Sequence, residues 1–288
     1  MQETPIKKAK RILVFAILAA MLLSLCGCGM FRTHVAKAAI KMSKLDSLHA
    51  DVEMQIGMGI SLLGQDVNAD AAITGGADIQ RDPERVYVNL MAEVAGFVQN
   101  LLFYGVGRDD GFDVYSSVDS GDSWTKGSVE DDDSSKNSKA DGKSLFLLLS
   151  DSAASFKEYG KEKVNGSDAI GYNGKITSDE LRQALELANA KQALEESLDV
   201  ELDDDVFEDL GDVPVSIWID VKLGMIVRVE MDMSDVMQGL VPVLVDKAME
   251  KTDVGIGVNT KVYEVTVSIT LSEFDAVQVT KPTTLNIG

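Results

Sequence analysis

The sequence predicts an α+β fold: one large antiparallel, curved sheet with helices covering one of its faces. Three observations carry this. Strand patterns and helix patterns come in separate runs rather than in alternation, which disfavours a parallel βαβ arrangement. Several segments hold a period of two over ten residues or more, the mark of a sheet with one buried and one wet face. The connections between them are short and carry hairpin chemistry.

In chain order, Phe31 to Leu48 reads as a tether passing into a first helix, with Val35, Ala38, Ala39, Met42 and Leu45 three and four apart. In the first strand, Val52, Met54, Ile56, Met58 and Ile60 alternate with polar or small residues. The turn at Gly64-Gln65 leads to a strand through Val67, Ala69, Ala71 and Ile73; Arg85 to Val94 and Val98 to Val106 follow, and these neighbours pair as a meander. Ser117 to Trp124 matches an Asp-box, a repeated hairpin turn in sialidase propellers. One copy cannot build a propeller, so we read a Gly-containing hairpin with Trp124 folded back on the sheet.

Glu130 to Lys143 is a low-complexity run of Asp, Ser, Lys and Gly with no large apolar side chain to bury, which predicts a mobile acidic loop over 129–143. Leu145 to Tyr159 reads as a helix carrying Leu147, Leu148, Ala154 and Phe156. Asn165-Gly166 predicts a two-residue turn between Lys161–Val164 and Ala169–Ile176. Thr177 and Glu180 form a capping box, and Leu181, Ala184, Leu187, Ala188, Leu194 and Leu198 lie along one side of the helix it starts. A second acidic loop spans 199–212.

The second half returns to alternation. Val213, Val215, Ile217, Ile219 and Val221 share a face, and after a turn at Lys222 to Gly224 so do Met225, Val227, Val229, Met231 and Met233. Ser234 opens a helix toward Met249 that Gly239 and Pro242 are expected to break or kink. The last long strand sets Tyr263, Val265, Val267, Ile269 and Leu271 on one face, and the chain closes through Phe274, Val277 and Pro282.

The N-terminus says where the protein resides. Lys7, Lys8, Lys10 and Arg11 precede the apolar run Ile12 to Leu25, followed by small residues, the order of a secretory leader. As a helix the run spans about 21 Å against a hydrocarbon core of about 30 Å, too short to cross comfortably. Leu25, Gly27 and Cys28 resemble the lipobox of bacterial lipoproteins, which implies cleavage between Gly27 and Cys28 and acylation of Cys28. Cys26 competes less well, because Leu25 would then stand next to the cut where a small residue is expected. Residues 1–27 are thus a signal peptide, 28–44 the lipidated N-terminus and tether, and 45–288 one domain, held to the outer face of the bacterial cytoplasmic membrane. The membrane is the first expected partner.

After processing no cysteine remains for a disulfide, so the core alone must hold the domain. The whole chain carries −20; the leader has four Lys/Arg against one Glu, leaving the mature part near −23. That argues against nucleic acid and against a body lying flat on anionic lipid. Enzymology finds little footing. The two histidines, His34 and His49, sit in the tether and at the start of the first strand; no Gly-x-Ser-x-Gly elbow, EF-hand loop or metal-spaced histidine pair is present. No catalytic residue, metal ligand or cofactor is nominated.

Met54 and Met58 in the first strand, Asp122-Ser123-Trp124, Val164-Asn165-Gly166, Trp218-Ile219-Asp220, the run Val227 to Met233 and the late Pro282 together resemble the LolA-like lipoproteins. That superfamily includes the LppX and LprG lipid carriers and a Gram-positive branch. The resemblance covers roughly Leu45 to Pro282; the acidic stretches near Glu130 and Glu201 depart from it. It implies a half-barrel whose concave face is covered by helices, with acyl chains held in between in some members. Candidate lining residues are Met54, Ile56, Met58, Leu90, Ile217, Ile219, Val229, Met231, Leu240 and Leu244. Methionine suits a site for irregular apolar guests, but it equally fills closed cores. Three classes stand open: a carrier of a lipid-like ligand, an envelope protein-interaction module with a filled core, and, last, a surface glycosidase suggested by the Asp-box.

Overall fold

The computed structural model describes residues 34–285 apart from 63–64, 95, 109–110, 131–147, 151, 188–189, 199, 204, 209 and 251–257. The expected signal peptide over residues 1–27, its expected cleavage and lipidation residues Gly27 and Cys28, and most of the expected 129–143 loop lie outside the described residues.

Eleven strands form one antiparallel sheet: β1 (Ser47–Leu62), β2 (Gln65–Arg81), β3 (Glu84–Val94), β4 (Phe97–Arg108), β5 (Gly111–Ser117), β6 (Thr125–Glu130), β7 (Lys157–Val164), β8 (Ser167–Ile176), β9 (Val213–Asp220), β10 (Ile226–Asp232) and β11 (Val258–Ser272). The order is β6-β5-β4-β3-β2-β1-β11-β10-β9-β8-β7, so two runs of consecutive hairpins meet at the last strand, which pairs with β1 on one side and β10 on the other. The sheet is curved and open, not closed into a barrel, and the architecture is α+β as the segregated patterns predict.

The helices are α1 (His34–Met42), α2 (Ser178–Leu187), α3 (Ala190–Leu198) and α4 (Ser234–Glu250), with a single 3₁₀ turn at Ser152–Ser155. α1 lies across β9 and β10, and α4 lies along β11. One continuous apolar body joins the inner face of the sheet to these helices. Val35, Ala36, Ala38, Ala39 and Met42 of α1 are buried in it. The folded unit therefore takes in residues 34–44, which the sequence reading gave to the tether. His34 pins the start of α1, its Nδ1 lying 3.0 Å from the Tyr172 hydroxyl with the rings edge to face.

Three β-bulges interrupt the ladders of the described strands, one of them at Tyr159 in β7, and the other two reset the alternation of β11 and β10. Opposite Gly57 and Met58, strand β11 inserts Tyr263 between Glu264 and Val262. Val262 turns into the core and Tyr263 stays 55% exposed, the reverse of what an unbroken period of two predicts. In β10, Val227 is the extra residue between Ile226 and Arg228, which face Ile219 and Trp218. Ile226 and Val229 both enter the inner core, while Val227 packs on the outer face with Val164, Ala169 and Trp218. Arg228 stacks 3.9 Å over the Trp218 ring there and reaches the carboxylates of Glu162 and Glu230.

Turn chemistry holds as the residues imply. Asn165 and Gly166 have φ of 49° and 79°, the two positive values of a type I′ turn, and Val164 faces Ser167 across it. The capping box is formed: the Thr177 N–H donates to Glu180 Oε2 at 2.8 Å and the Glu180 N–H to Thr177 Oγ1 at 3.3 Å. The Asp-box is a hairpin turn between β5 and β6. The hydroxyl and N–H of Ser123 and the hydroxyl of Ser117 all donate to Asp119, holding its carboxyl down at about 2. Trp124 folds back beside Tyr104 and Tyr115, donating from Nε1 to Thr284 Oγ1 at 3.1 Å.

Three helix expectations change. Leu145 to Tyr159 is not one helix: Ser152–Ser155 is 3₁₀ and β7 begins at Lys157. Ser155 diverts its hydroxyl to the β8 backbone, accepting the Lys175 N–H at 3.2 Å, and pairing with β8 across the Asn165-Gly166 turn claims Lys157 to Val164. The stretch after Thr177 forms two helices, with Leu181 and Ala184 buried from the first and Ala190 and Leu194 from the second. α4 runs unbroken through Gly239 and Pro242. The carbonyl one turn before Pro242 belongs to exposed Gln238, where water can take the place of the missing N–H.

The acidic stretch 199–212 is not simply solvated. Val200, Leu202, Phe207 and Leu210 are buried in the inner core, whereas Glu201, Asp203, Asp205 and Glu208 are exposed. On the outer face the C-terminal segment crosses back over the first strands. Val279 and Leu285 are buried against Tyr104 and Tyr115, and Val279 is fixed by its N–H to Gln80 Oε1 at 2.9 Å.

His49 also lies on the outer face, with Nδ1 2.6 Å from Asp78 and Nε2 3.2 Å from Asp51. Burial alone would lower its pKa, but the hydrogen bonds and charges of the two carboxylates outweigh that and raise it. The charged ring thus stabilises the fold fully below its unfolded pKa, and this is lost as pH rises through the raised folded pKa. His49→Gln is expected to cost a few tenths to about 1 kcal/mol more at pH 5.5 than at pH 9. Urea titrations of both proteins at the two pH values measure this; equal losses exclude the ion pairs as the cause.

Candidate functional site

The alternation of β1, β3, β9 and β10, with one side of α4, delivers the candidate lining residues to a single place. Met54, Ile56, Leu90, Ile217, Ile219, Val229, Met231 and Leu240 are buried in the inner apolar body; Met58 and Leu244 are half-buried against it. They do not share one environment. Ile217 and Val229 are fully buried on β9 and β10, the strands that α1 crosses with Val35, Ala39 and Met42. That part of the inner face is packed by the chain's own side chains. Met58 and Leu244 mark a looser rim, together with Ala71, Val241 and Ala92.

α4 bounds the site on the side away from the sheet. Its start is hooked to β11: the Met233 N–H donates to the Val265 carbonyl at 2.8 Å, and the Ser234 hydroxyl accepts the Val265 N–H at 2.9 Å. From Val236 to Val245 it carries no charge. Leu240 is buried, yet Val241, Leu244 and Val245 are only half-buried and Val243 is 39% exposed. A helix apolar all round is normally buried all round, so this segment has more apolar surface than the chain covers.

Among the described residues, Asp220 is the buried charged side chain. It accepts the N–H groups of Lys222 and Leu223 at 2.7 and 2.6 Å in the β9–β10 turn. No described helix is long and apolar enough to cross a membrane. A separate cleft of about 350 Å³ lies between α2, α3 and the 200–210 segment, lined by Arg182, Glu186, Lys191, Glu195, Phe207 and Glu208. Sequence reasoning missed it, since its only signal was the burial of Phe207 within an acidic stretch. Its charges pair with one another, Arg182 with Glu186 at 3.2 Å and Lys191 with Glu195 at 3.9 Å.

No family model matches the chain, and no curated protein matches it. It is similar to solved structures. The lipoprotein LppX of Mycobacterium tuberculosis is 13% identical, with 85% of this chain and 95% of that one covered and a TM-score of 0.43. LprF of Mycobacterium bovis is 14% identical, with 88% and 96% covered and a TM-score of 0.44. A LolA superfamily protein of Nitrosomonas europaea is 10% identical, with 85% and 94% covered and a TM-score of 0.16.

Proposed function

We propose that this is a membrane-anchored extracytoplasmic lipoprotein, cut between Gly27 and Cys28 and held by lipid on Cys28, that binds a lipid-like apolar ligand between its sheet and α4. The anchor stands on the leader and the lipobox residues Leu25, Gly27 and Cys28. The observation that carries the binding function is the surplus of apolar surface on α4: a helix hooked to β11 at its start, uncharged from Val236 to Val245, with Val241, Leu244 and Val245 only half-buried and Val243 exposed, over an inner face rimmed by Met58 and Leu244. α4 is held to β11 at its start and to Asp203 through Lys247 at 3.2 Å near its end, and an acyl chain placed beneath its uncharged middle gains roughly 25 cal/mol per Å² of apolar surface removed from water. Met54, Ile56, Met231, Leu240 and Leu244 are the proposed contacts; Ile217, Ile219, Val229 and Leu90 form the floor.

The packing of Ile217 and Val229 beneath α1 favours a second reading, a non-enzymatic module with a filled core that binds an envelope protein. Native mass spectrometry of the mature protein, taken from its membrane in mild detergent, separates the two. The carrier is expected to bring an acyl-chain species, and Leu244→Glu to weaken its retention at least about tenfold, because a carboxylate would meet the apolar guest. Unchanged far-UV circular dichroism confirms that the variant folds. A bare protein mass that takes up no added fatty acid or phospholipid excludes the carrier and leaves the module.

A further inference from the structure

Charge is spread unevenly over this acidic chain. From Gly29 to Leu45 it holds Arg32, Lys37, Lys41 and Lys44 and no acidic residue, although the whole carries −20. α1 buries Val35, Ala38, Ala39 and Met42 and turns Lys37 and Lys41, four residues apart, outward on one side. Lys44 is exposed in the turn that closes the helix, where its N–H donates to the Lys41 carbonyl at 3.2 Å.

The β9–β10 turn extends this surface. Lys41 Nζ donates to the Leu223 carbonyl at 2.6 Å, which sets α1 against the turn, and Lys222 beside it is exposed. On either side of Lys222, Val221 is 55% and Leu223 47% exposed. The carboxylates at the turn are engaged: Asp220 takes the N–H groups of Lys222 and Leu223, and Asp168 pairs with Lys163 Nζ at 2.9 Å. Asp46 and Asp275 meet beyond Lys44, where Asp275 accepts the Asp46 N–H at 2.7 Å. Lysines beside exposed apolar side chains suit an anionic lipid surface, the ammonium groups taking phosphates and the apolar groups the layer beneath.

Distance favours the membrane over an acidic protein. Cys28 precedes His34 by six residues, a reach of up to about 20 Å, so lipid on Cys28 would keep the start of α1 within that distance of the bilayer however the body turns. Such tethering acts as a high local concentration. The acidic remainder of the body is repelled by an anionic surface, but screening cuts this off beyond about 8 Å. The favoured orientation therefore brings the lysines to the headgroups and holds the rest away. Through Arg228 and Thr270, Trp218, just ahead of the turn, stands level with Asp51, whereas Asn68 of β2 pairs with Gly59. Eight residues of strand separate these levels, about 26 Å.

We propose that Lys37, Lys41, Lys44 and Lys222, with Val221 and Leu223, rest on the anionic phospholipid headgroups of the membrane that holds the lipid on Cys28. The proposal rests on the anchor reading. Contact is confined to this end of the sheet, and the Met58 rim, nearer the other end, is turned away from the bilayer.

The test uses the mature lipidated protein in vesicles of phosphatidylcholine, alone or mixed with phosphatidylglycerol. Once Cys28 carries lipid and Cys26 has left with the leader, Val221→Cys is the sole free thiol and takes a fluorophore; Asn68→Cys is the comparison site. A lipid with a quencher on its headgroup reads the approach. With phosphatidylglycerol present, quenching at residue 221 is expected to exceed that at 68 at least about threefold. The excess should vanish in the Lys37→Gln, Lys41→Gln, Lys44→Gln triple variant, since each lysine near an anionic surface is worth roughly fivefold in partition. An unchanged urea midpoint shows that this variant is folded. Equal quenching at the two sites overturns the proposal and leaves the anchor standing. An excess that survives in the triple variant or without phosphatidylglycerol also overturns it, because the lysines would then not be what holds the surface. In the native membrane, a label at 221 closed both to the lipid quencher and to aqueous iodide overturns it in favour of a protein partner. A protein whose mass shows no lipid on Cys28 overturns the anchor reading. Sedimentation of that chain with phosphatidylglycerol vesicles, lost in the triple variant, would still support the patch, and no sedimentation rejects it.

Discussion

Cys28→Ser is expected to abolish lipid labelling and leave the leader in place. Grown with radioactive palmitate, the wild-type protein should carry label and run as the chain that begins at Cys28; the variant should carry none and run larger by residues 1–27. The effect is all or none because the thioether is the point of attachment, and the other thiol near the cut, Cys26, follows Leu25 where a small residue is expected. A diacylglyceryl group buries two chains at about 0.8 kcal/mol per methylene, which is what makes the tether lasting where a single chain is marginal. Label that survives in the variant would move the site to Cys26, and a wild-type chain that never takes label would remove the anchor from the proposed function altogether. Neither result would disturb the fold.

The largest structural effect is expected at Gly75. This residue sits mid-strand in β2 between Val52 of β1 and Leu90 of β3, with φ near 153°. A Cβ placed there would stand 2.0 Å from the Asn89 carbonyl oxygen and 2.8 Å from the Leu90 Cα, backbone atoms that cannot rotate away. Gly75→Ala must therefore part β2 from β3 locally or twist both, and we expect a loss of at least about 3 kcal/mol. Urea unfolding with an unchanged slope and an earlier midpoint is the readout. A loss below about 1 kcal/mol would mean that the strands relax at little cost. The site subsides with the sheet, because Leu90 and Ile73 of the same two strands belong to the inner apolar body.

The sequence was most legible where a local device leaves a local mark. The Asn165-Gly166 turn, the Thr177 and Glu180 cap and the alternations of β1 from Val52 to Ile56 and of β9 from Val213 to Ile219 appear where their residues imply, whereas Val221 lies exposed beyond the end of β9. It was least legible where one inserted residue changes the phase. Tyr263 and Val227 are bulge residues, and nothing in their own chemistry distinguishes them from their neighbours; only the partner strand decides which residue is extra. The helix after Leu145 failed for a related reason. Its pattern is helical by composition, but the hairpin across Asn165-Gly166 claims Lys157 to Val164, a tertiary preference that propensity cannot see. The candidate site was readable as a set of inward residues. How they divide between those packed under α1 and those at the rim depends on where α1 crosses the sheet, which no spacing encodes.

The position of β11 constrains when the molecule can exist at all. The strand that joins the two halves is the last to leave the ribosome, and its partners β1 and β10 precede it by some 200 and 30 residues. Until residues 258–272 arrive, each half presents a long open edge, β1 on one side and β10 on the other, and such edges invite pairing with the wrong chain. High contact order slows folding, and under the proposed export that delay would serve secretion. A chain whose two halves are joined by β11 would stay threadable until residues 258–272 had crossed.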